Sequence, residues 1–318
     1  MDDYQFKINS ISFKNGDSYS PGKINIVIGA NNSGKSQFLK EIRSTILGNT
    51  DGPNGPYVYD TNNVITDSID LALPKNAEDL DGSYGLTGHV VRGMNGWRVR
   101  DFCNIGTQLS PSSGYTYRSL PCSFSLQDDW HVCLNNLLQP NETDHSLEEK
   151  ERQRQILQFL GPMFVDYAGT EDRLLLSTGE PARGVRDDSY NTLSAALDVD
   201  ETCSTISETV KRLFHKDIAL DNTTSRQSVV PVVSEDFSGY RNSHNSSVKL
   251  TYMQNATQLR NEGDGFRSYV TILLTVMGAS KPILLVDEPE AFLHPTYAME
   301  LGKQLGTMLA ESSTLQNA

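Results

Sequence analysis

The chain has 318 residues, a net charge of −13 at pH 7 and a pI near 4.9. That balance argues against the broad basic face by which nucleic acid is normally held. Hydrophobic residues make up 37%, and the 24 glycines raise the apolar share to about 45%, the lower end for globular chains, so a core can form between extensive polar loops.

The length suggests two domains, or one large head carrying an inserted lobe. The opening stretch MDDYQFKINS is acidic and lacks the apolar core of a signal peptide. No segment approaches the roughly 20 apolar residues that cross a bilayer. Cys103, Cys122, Cys133 and Cys203 show neither C-x-x-C pairing nor regular spacing. They read as reduced thiols of a cytoplasmic protein. Arg92, Arg98 and Arg100 gather around Trp97, where a solvated loop or strand edge is the plainer reading.

In chain order, Phe6–Phe13 alternates like a half-buried strand, and Asn15-Gly16 and Pro21-Gly22 mark turns. Ile24–Ile28 is a short apolar run, read as a second strand feeding a glycine loop. Lys35–Leu47 then carries Phe38, Leu39, Ile42, Ile46 and Leu47 at helical spacing. The turn formers GNTDGPNGP end this helix, so the expected domains are 1–56, an inserted α+β lobe at 57–165, and 166–318. Within the lobe, Ser146 and Glu149 form a capping box opening a helix that stops before Gly161-Pro162. Its charge predicts a surface or interface element.

Met163–Tyr167 reads as a strand, followed by GTEDRLLL. Asp200–Phe214 fits an amphipathic helix with Ile206, Val210, Leu213 and Phe214 on one side. Val229–Val233 and Val248–Met253 read as strands, Phe266–Met277 as a strong helix, Ile283–Val286 as a buried strand, and Thr296 onward as a helix. There is no internal repeat and no long heptad run.

Two strings carry chemistry. GANNSGKS, Gly29–Ser36, fits the phosphate-cradling pattern G-x-x-x-x-G-K-[ST]. Gly29 and Gly34 let the backbone wrap a phosphate at the positive end of the following helix. Asn31, Asn32, Ser33 and Gln37 complete the cradle; Lys35 would reach the β- and γ-phosphates and Ser36 would ligate magnesium. The second string is ILLVDEPEAFLHP. Asp287, at the strand end, can hold magnesium, and Glu288 can orient a water for attack on the γ-phosphate.

Some 250 residues separate the loop from the acidic strand, and the glycine-rich NEGDGFR lies just upstream of that strand. This order resembles the ABC-type ATPase heads. GANNSGKS and DEPEAFLHP resemble more narrowly the OLD (overcoming-lysogenisation-defect) group, related in turn to RecF and the chromosome-maintenance proteins. NEGDGFRSYVTILL is similar to the signature helix of defence-associated relatives, including the ATPase component of the PARIS anti-phage system. The resemblance covers residues 1–47 and 260–310, with a vaguer likeness at VDYAGTEDRL.

It implies an α/β fold, a P-loop ABC-type head with a mixed sheet flanked by helices, Walker A at the loop and Walker B at the acidic strand. It also implies that Gly263, Asp264 and Gly265 cap the γ-phosphate on a second copy's loop, giving a nucleotide-bridged homo-oligomer. The serine usual at this turn is absent here: position 263 is glycine and position 261 asparagine. The alternative is that Asp264 merely caps a core helix. Such heads place a switch histidine after the next strand; the sequence ends at Ala318 before it, and His294 lies too close to Glu288, so a longer polypeptide is expected. Gln108, Gln127 and Gln139 are alternative magnesium-sensing glutamines.

The resemblance therefore implies an ATP- and Mg2+-dependent, slowly hydrolysing ATPase acting in antiviral defence. Its partners would be an effector such as a nuclease and a phage-encoded trigger. A DNA-repair or chromosome-type ATPase and an ATP-locked scaffold without turnover are the alternatives. Missing heptads and the −13 charge disfavour the first of these.

Overall fold

The computed structural model describes residues 6–48, 64–75, 138, 153–154, 156–157, 160–161, 164–181, 192–198, 200–224, 228–278 and 282–315. Arg92, Trp97, Arg98, Arg100, Cys103, Cys122, Cys133, the three candidate glutamines and the capping box at Ser146 lie outside them. The fold is mixed α/β. Contacts divide it into two compact units, residues 1–166 with 281–285, and residues 167–280 with 286–318.

In the first unit, β1 (Ile8–Phe13) lies between β2 (Ser18–Tyr19) and β3 (Thr66–Leu71), antiparallel to both. The β1–β2 hairpin closes where expected, with Gly16 at φ 92° and Asn15 accepting the Asp17 N–H at 3.0 Å. Beneath the sheet Ile11 is buried, and Phe6 stacks on Phe164 with ring centroids 3.9 Å apart. Helix α1 (Lys35–Ile46) buries Ile42 and Ile46 at the spacing the sequence predicts.

The expected strand at Ile24–Ile28 does not form. Its residues are irregular, and Ile26 and Ile28 are 82% and 86% exposed. A strand exists only through pairing, and Asn25 instead closes a polar turn. Its Oδ1 accepts from Tyr19 Oη (2.6 Å) and Gly22 N (2.9 Å), and its Nδ2 donates to Gly22 O.

The helix expected to stop before Gly161 still includes it, since Gly161 is helical. Gly161 is a close-approach site, because a Cβ there would lie 1.9 Å from Ile46 O. Nor is this helix a purely surface element: Ile156, Leu157 and Leu160 are buried while Gln153 and Arg154 are exposed.

β4 (Val165–Ala168) and β9 (Ile283–Val286) pair as a two-stranded sheet, each close to its expected bounds. The second unit holds α2 (Thr170–Leu176), β5 (Glu180–Pro181), α3 (Thr192–Asp198), α4 (Asp200–Phe214), β6 (Asp217–Asp221), β7 (Ser228–Ser234), α5 (Ser238–Arg241), α6 (Ser246–Asn255), β8 (Thr257–Gln258), α7 (Asp264–Met277) and α8 (Pro295–Leu315).

The antiparallel β6–β7 pair, with Ile218 opposite Val233, supports cores on both faces. Alternation sends Ile218, Leu220, Val229 and Val233 to one, and Ala219 and Val232 to the other. Pro231 lacks an N–H and falls between the stretches of β7 that pair with β5 and β8. On the larger side Ile206 and Val210 of α4 meet Tyr269, Val270 and Leu273 of α7, and Phe214 contacts Phe266, Tyr269 and Tyr297 at 4.6–5.1 Å.

Val248–Met253, expected as a strand, is the helix α6. Asn245 accepts the Ser247 N–H at 2.9 Å, and that cap outweighs the local alternation, leaving Val248 and Leu250 exposed and only Met253 buried.

A buried charge network braces the β6 end. Asp217 accepts from Ser207 Oγ (2.5 Å), Phe237 N (2.6 Å) and both Nη atoms of Arg241 (2.9 and 2.7 Å), and pairs with Lys211 Nζ at 2.9 Å. Burial alone would raise its pKa, but these donors outweigh it and hold the carboxyl far below the ordinary range.

Candidate active site

The glycine loop belongs to the first unit. Gly29–Ser33 are exposed, and Gly34, Lys35, Ser36 and Gln37 are half-buried where the loop enters α1. Asn32 takes φ 62° and Gly34 φ 89°, so the chain turns through two left-handed residues before the helix begins. Asn31 sits in that exposed turn, which closes with Ser33 N–H donating to Ala30 O at 3.2 Å. α1 begins without a side-chain cap. Lys35 Nζ folds over the loop and donates to Gly29 O (3.0 Å) and Ala30 O (2.9 Å). An incoming phosphate would exchange for these two carbonyls.

Nearly two turns into α1, Glu41 is buried and faces three successive amides. Its Oε1 accepts from Val64 N (2.7 Å), Ile65 N (3.1 Å) and Gln37 Nε2 (3.2 Å), and its Oε2 from Thr66 N (2.8 Å) and Thr66 Oγ1 (2.7 Å). Gln37, expected at the phosphates, is thus turned to Glu41. Burial pushes the Glu41 carboxyl up, but the hydrogen bonds from Thr66, Val64 and Gln37 outweigh it, and the pKa lies below its ordinary value. The helix behind the loop is therefore anchored to β3 by a carboxylate.

The acidic turn and its partners belong to the second unit. Asp287 follows β9, and its N–H donates to Ala168 O at 3.1 Å. Its Oδ2 accepts the Tyr167 hydroxyl at 3.0 Å, and Thr170 Oγ1 lies 3.5 Å from Glu288 Oε2. Asp287 is half-buried and Glu288 exposed, so both carboxylates can be reached from solvent. Glu288 has φ 47°, a left-handed conformation that costs an ordinary residue about 1–2 kcal/mol. The turn closes through Ala291 N–H to Glu288 O and Leu293 N–H to Glu290 O, both 2.9 Å.

Arg173 holds this turn from beneath. It is 1% exposed, and its Nη1 donates to Ala168 O (3.1 Å) and Asp287 O while its Nη2 donates to Glu288 O at 2.8 Å. Burial lowers its pKa, opposed by the charges of Asp287, Glu290 and Glu288. Sequence reasoning passed over Tyr167, Thr170 and Arg173. The only signal was the stretch VDYAGTEDRL, where an arginine after two acids reads as a solvated first turn.

The glycine-rich turn is the start of α7. Gly263 is its N-cap, extended at φ −65° and ψ 148°, with no side-chain cap, and Asp264 instead accepts from Arg267 Nη1 at 2.8 Å. Asp264 is thus not the helix cap, and the expected flexible turn is reduced to Gly263. Arg267 continues to Ser177 Oγ (3.1 Å) and Leu174 O (3.1 Å). A Cβ on Gly265 would lie 2.9 Å from Phe292 O, and Ser268 Oγ donates to Ala291 O at 3.0 Å. The helix start and the acidic turn are therefore packed together within one chain, leaving Gly263 and Asp264 exposed.

Taken separately, the loop has donors that suit phosphate and the acidic turn has carboxylates of the kind magnesium takes. The loop offers one ammonium, one hydroxyl and a helix N-terminus, suited to phosphate. Among the described residues no group of three or more His, Cys, Asp or Glu could hold a metal by itself. Magnesium carried by a nucleotide needs only one or two carboxylates, its other ligands being phosphate oxygens and water. No helix among the described residues is long and apolar enough to cross a membrane. Compared with known proteins, the chain matches no family model, no curated protein and no solved structure.

Proposed function

We propose that this protein binds ATP with magnesium and hydrolyses it slowly, as a cytoplasmic ABC-type ATPase of the OLD kind. The observation that carries this reading is Gly29–Ser36 entering α1 through two left-handed residues, with the Lys35 ammonium folded over the loop. Lys35 takes the β- and γ-phosphates in exchange for the carbonyls of Gly29 and Ala30. Ser36 and Asp287 would hold the metal, which would neutralise phosphate charge. Glu288 orients the attacking water and takes up its proton. The Tyr167 hydroxyl holds the Asp287 carboxylate before nucleotide arrives.

The biological role that goes with this chemistry is that of a nucleotide-assembled sensor in antiviral defence, joined to an effector protein and released by a phage component. The acid pair favours turnover over a permanently ATP-locked scaffold, since its two carboxylates are held apart in role: one beside a tyrosine hydroxyl, one exposed.

Two substitutions test the reading. Lys35→Ala is expected to abolish ATP binding in a calorimetric titration; undiminished affinity refutes the loop assignment. Glu288→Gln is expected to keep ATP affinity while steady-state turnover falls by about 10²–10⁴-fold. Parental turnover in that variant refutes the role of the acid.

A further inference from the structure

We infer that Arg173 is a positioning residue of the hydrolytic site, fixing the backbone of the acid pair so that Asp287 and Glu288 point to different tasks. The role presupposes the ATP hydrolysis proposed above. Arg173 is the largest fully buried side chain among the described residues, yet it lies on a short helix whose first turn carries Glu171 and Asp172. A buried guanidinium is expensive unless its donors are used. Here Nη1 and Nη2 go to backbone oxygens, Ala168 O at the end of β4, then Asp287 O and Glu288 O, while the buried Nε has no hydrogen-bond partner among the described residues. Packing alone would be served by a leucine. The planar fork serves something narrower, which is to bind two consecutive carbonyls of one turn.

That turn needs holding. Glu288 sits at φ 47°, and a non-glycine residue keeps such a conformation only where its surroundings impose it. The consequence is directional. With its carbonyl drawn inward to Arg173, the Glu288 side chain stays exposed, and Asp287 remains half-buried beside the Tyr167 hydroxyl. Without the fork the turn can relax to a right-handed conformation, swinging Glu288 away while leaving Asp287 at the strand end. Water orientation is then impaired before metal or nucleotide binding. The guanidinium charge also lies close to Asp287, Glu290 and Glu288, so it offsets the mutual repulsion of three carboxylates within four residues.

The test uses the full chain. Arg173→Ala is expected to keep KM for ATP within about threefold and to lower kcat by about 10–100-fold, as loss of an outer partner of a ligating carboxylate does. Millimolar guanidinium chloride should restore kcat in a saturable way, entering the vacated space, while the same concentrations of sodium chloride should not. A kcat within twofold of the parent, or equal recovery with both salts, overturns the role. If Arg173→Ala fails to fold, Arg173→Lys decides: it keeps the charge but not the fork, so kcat should still fall at least tenfold, and parental kcat overturns the role.

Should the parent itself show no ATP turnover, the functional reading fails, and amide hydrogen exchange decides Arg173 alone. The N–H groups of Ala291 and Leu293, which close the turn, should exchange at least tenfold faster in Arg173→Lys than in the parent. Unchanged exchange there overturns the inference.

Discussion

Replacing Glu41 by glutamine removes one acceptor and one charge at the anchor between α1 and β3 while keeping the side-chain shape. In the parent, Oε1 receives the Val64 N–H at 2.7 Å and Oε2 the Thr66 N–H at 2.8 Å. Whichever oxygen becomes the amide nitrogen, one of these backbone donors faces another donor. Leaving a buried N–H unsatisfied costs about 1–3 kcal/mol, and the remaining bonds lose the charge that roughly doubles their strength. The expected loss is about 2–4 kcal/mol, a large part of the 5–15 kcal/mol that holds a typical domain folded. Urea unfolding of parent and variant, followed by circular dichroism, measures it.

The pH dependence follows from the direction of the pKa. Glu41 is depressed in the folded state, so its contribution is complete above the unfolded carboxyl value near 4.3 and is lost as pH falls through the folded value. The gap between parent and Glu41→Gln should therefore narrow in acid. A gap below about 1 kcal/mol at neutral pH, set against the unsatisfied-donor penalty, or a gap that widens in acid, refutes the anchoring role.

Two further outcomes are expected. Asp217→Asn should destabilise the second unit by about 2–4 kcal/mol, less than the 3–5 kcal/mol of a fully buried broken pair, because Lys211 and Arg241 retain 37% and 29% side-chain exposure. Its folded pKa is also depressed, so this difference should likewise shrink as pH falls below the unfolded carboxyl value, and a pH-independent difference in urea midpoint would contradict the assignment. Gly161→Ala gains roughly 1 kcal/mol of helix propensity but places a Cβ 1.9 Å from Ile46 O, an overpacking cost of about 1–3 kcal/mol, so a net loss of up to about 2 kcal/mol is expected, and a raised melting temperature would show that α1 does not approach so closely.

What could be read from the sequence alone was whatever local chemistry decides. The glycine loop, the amphipathic helix at Asp200–Phe214, the strong helix before Gly278, the strand Ile283–Val286 and the helix starting at Pro295 all carry their signals within a few residues. Where two local signals competed, the sequence was ambiguous: alternation over Val248–Met253 spelled a strand, and the Asn245 cap made a helix. Pairing and burial were out of reach. Ile24–Ile28 has strand composition but no pairing among the described residues, because a strand depends on what lies beside it and not on what it contains.

Charged residues show the same divide most sharply. Nothing in the sequence around Glu41 and Arg173 signals burial, yet both are buried because their partners come from other segments: backbone amides at 64–66 for one, carbonyls at 287 and 288 for the other. The acid pair itself was legible as two carboxylates after an apolar run. Its left-handed backbone, and the arginine that meets its carbonyls across 115 positions of sequence, were decided only when the chain folded and desolvated that guanidinium against them.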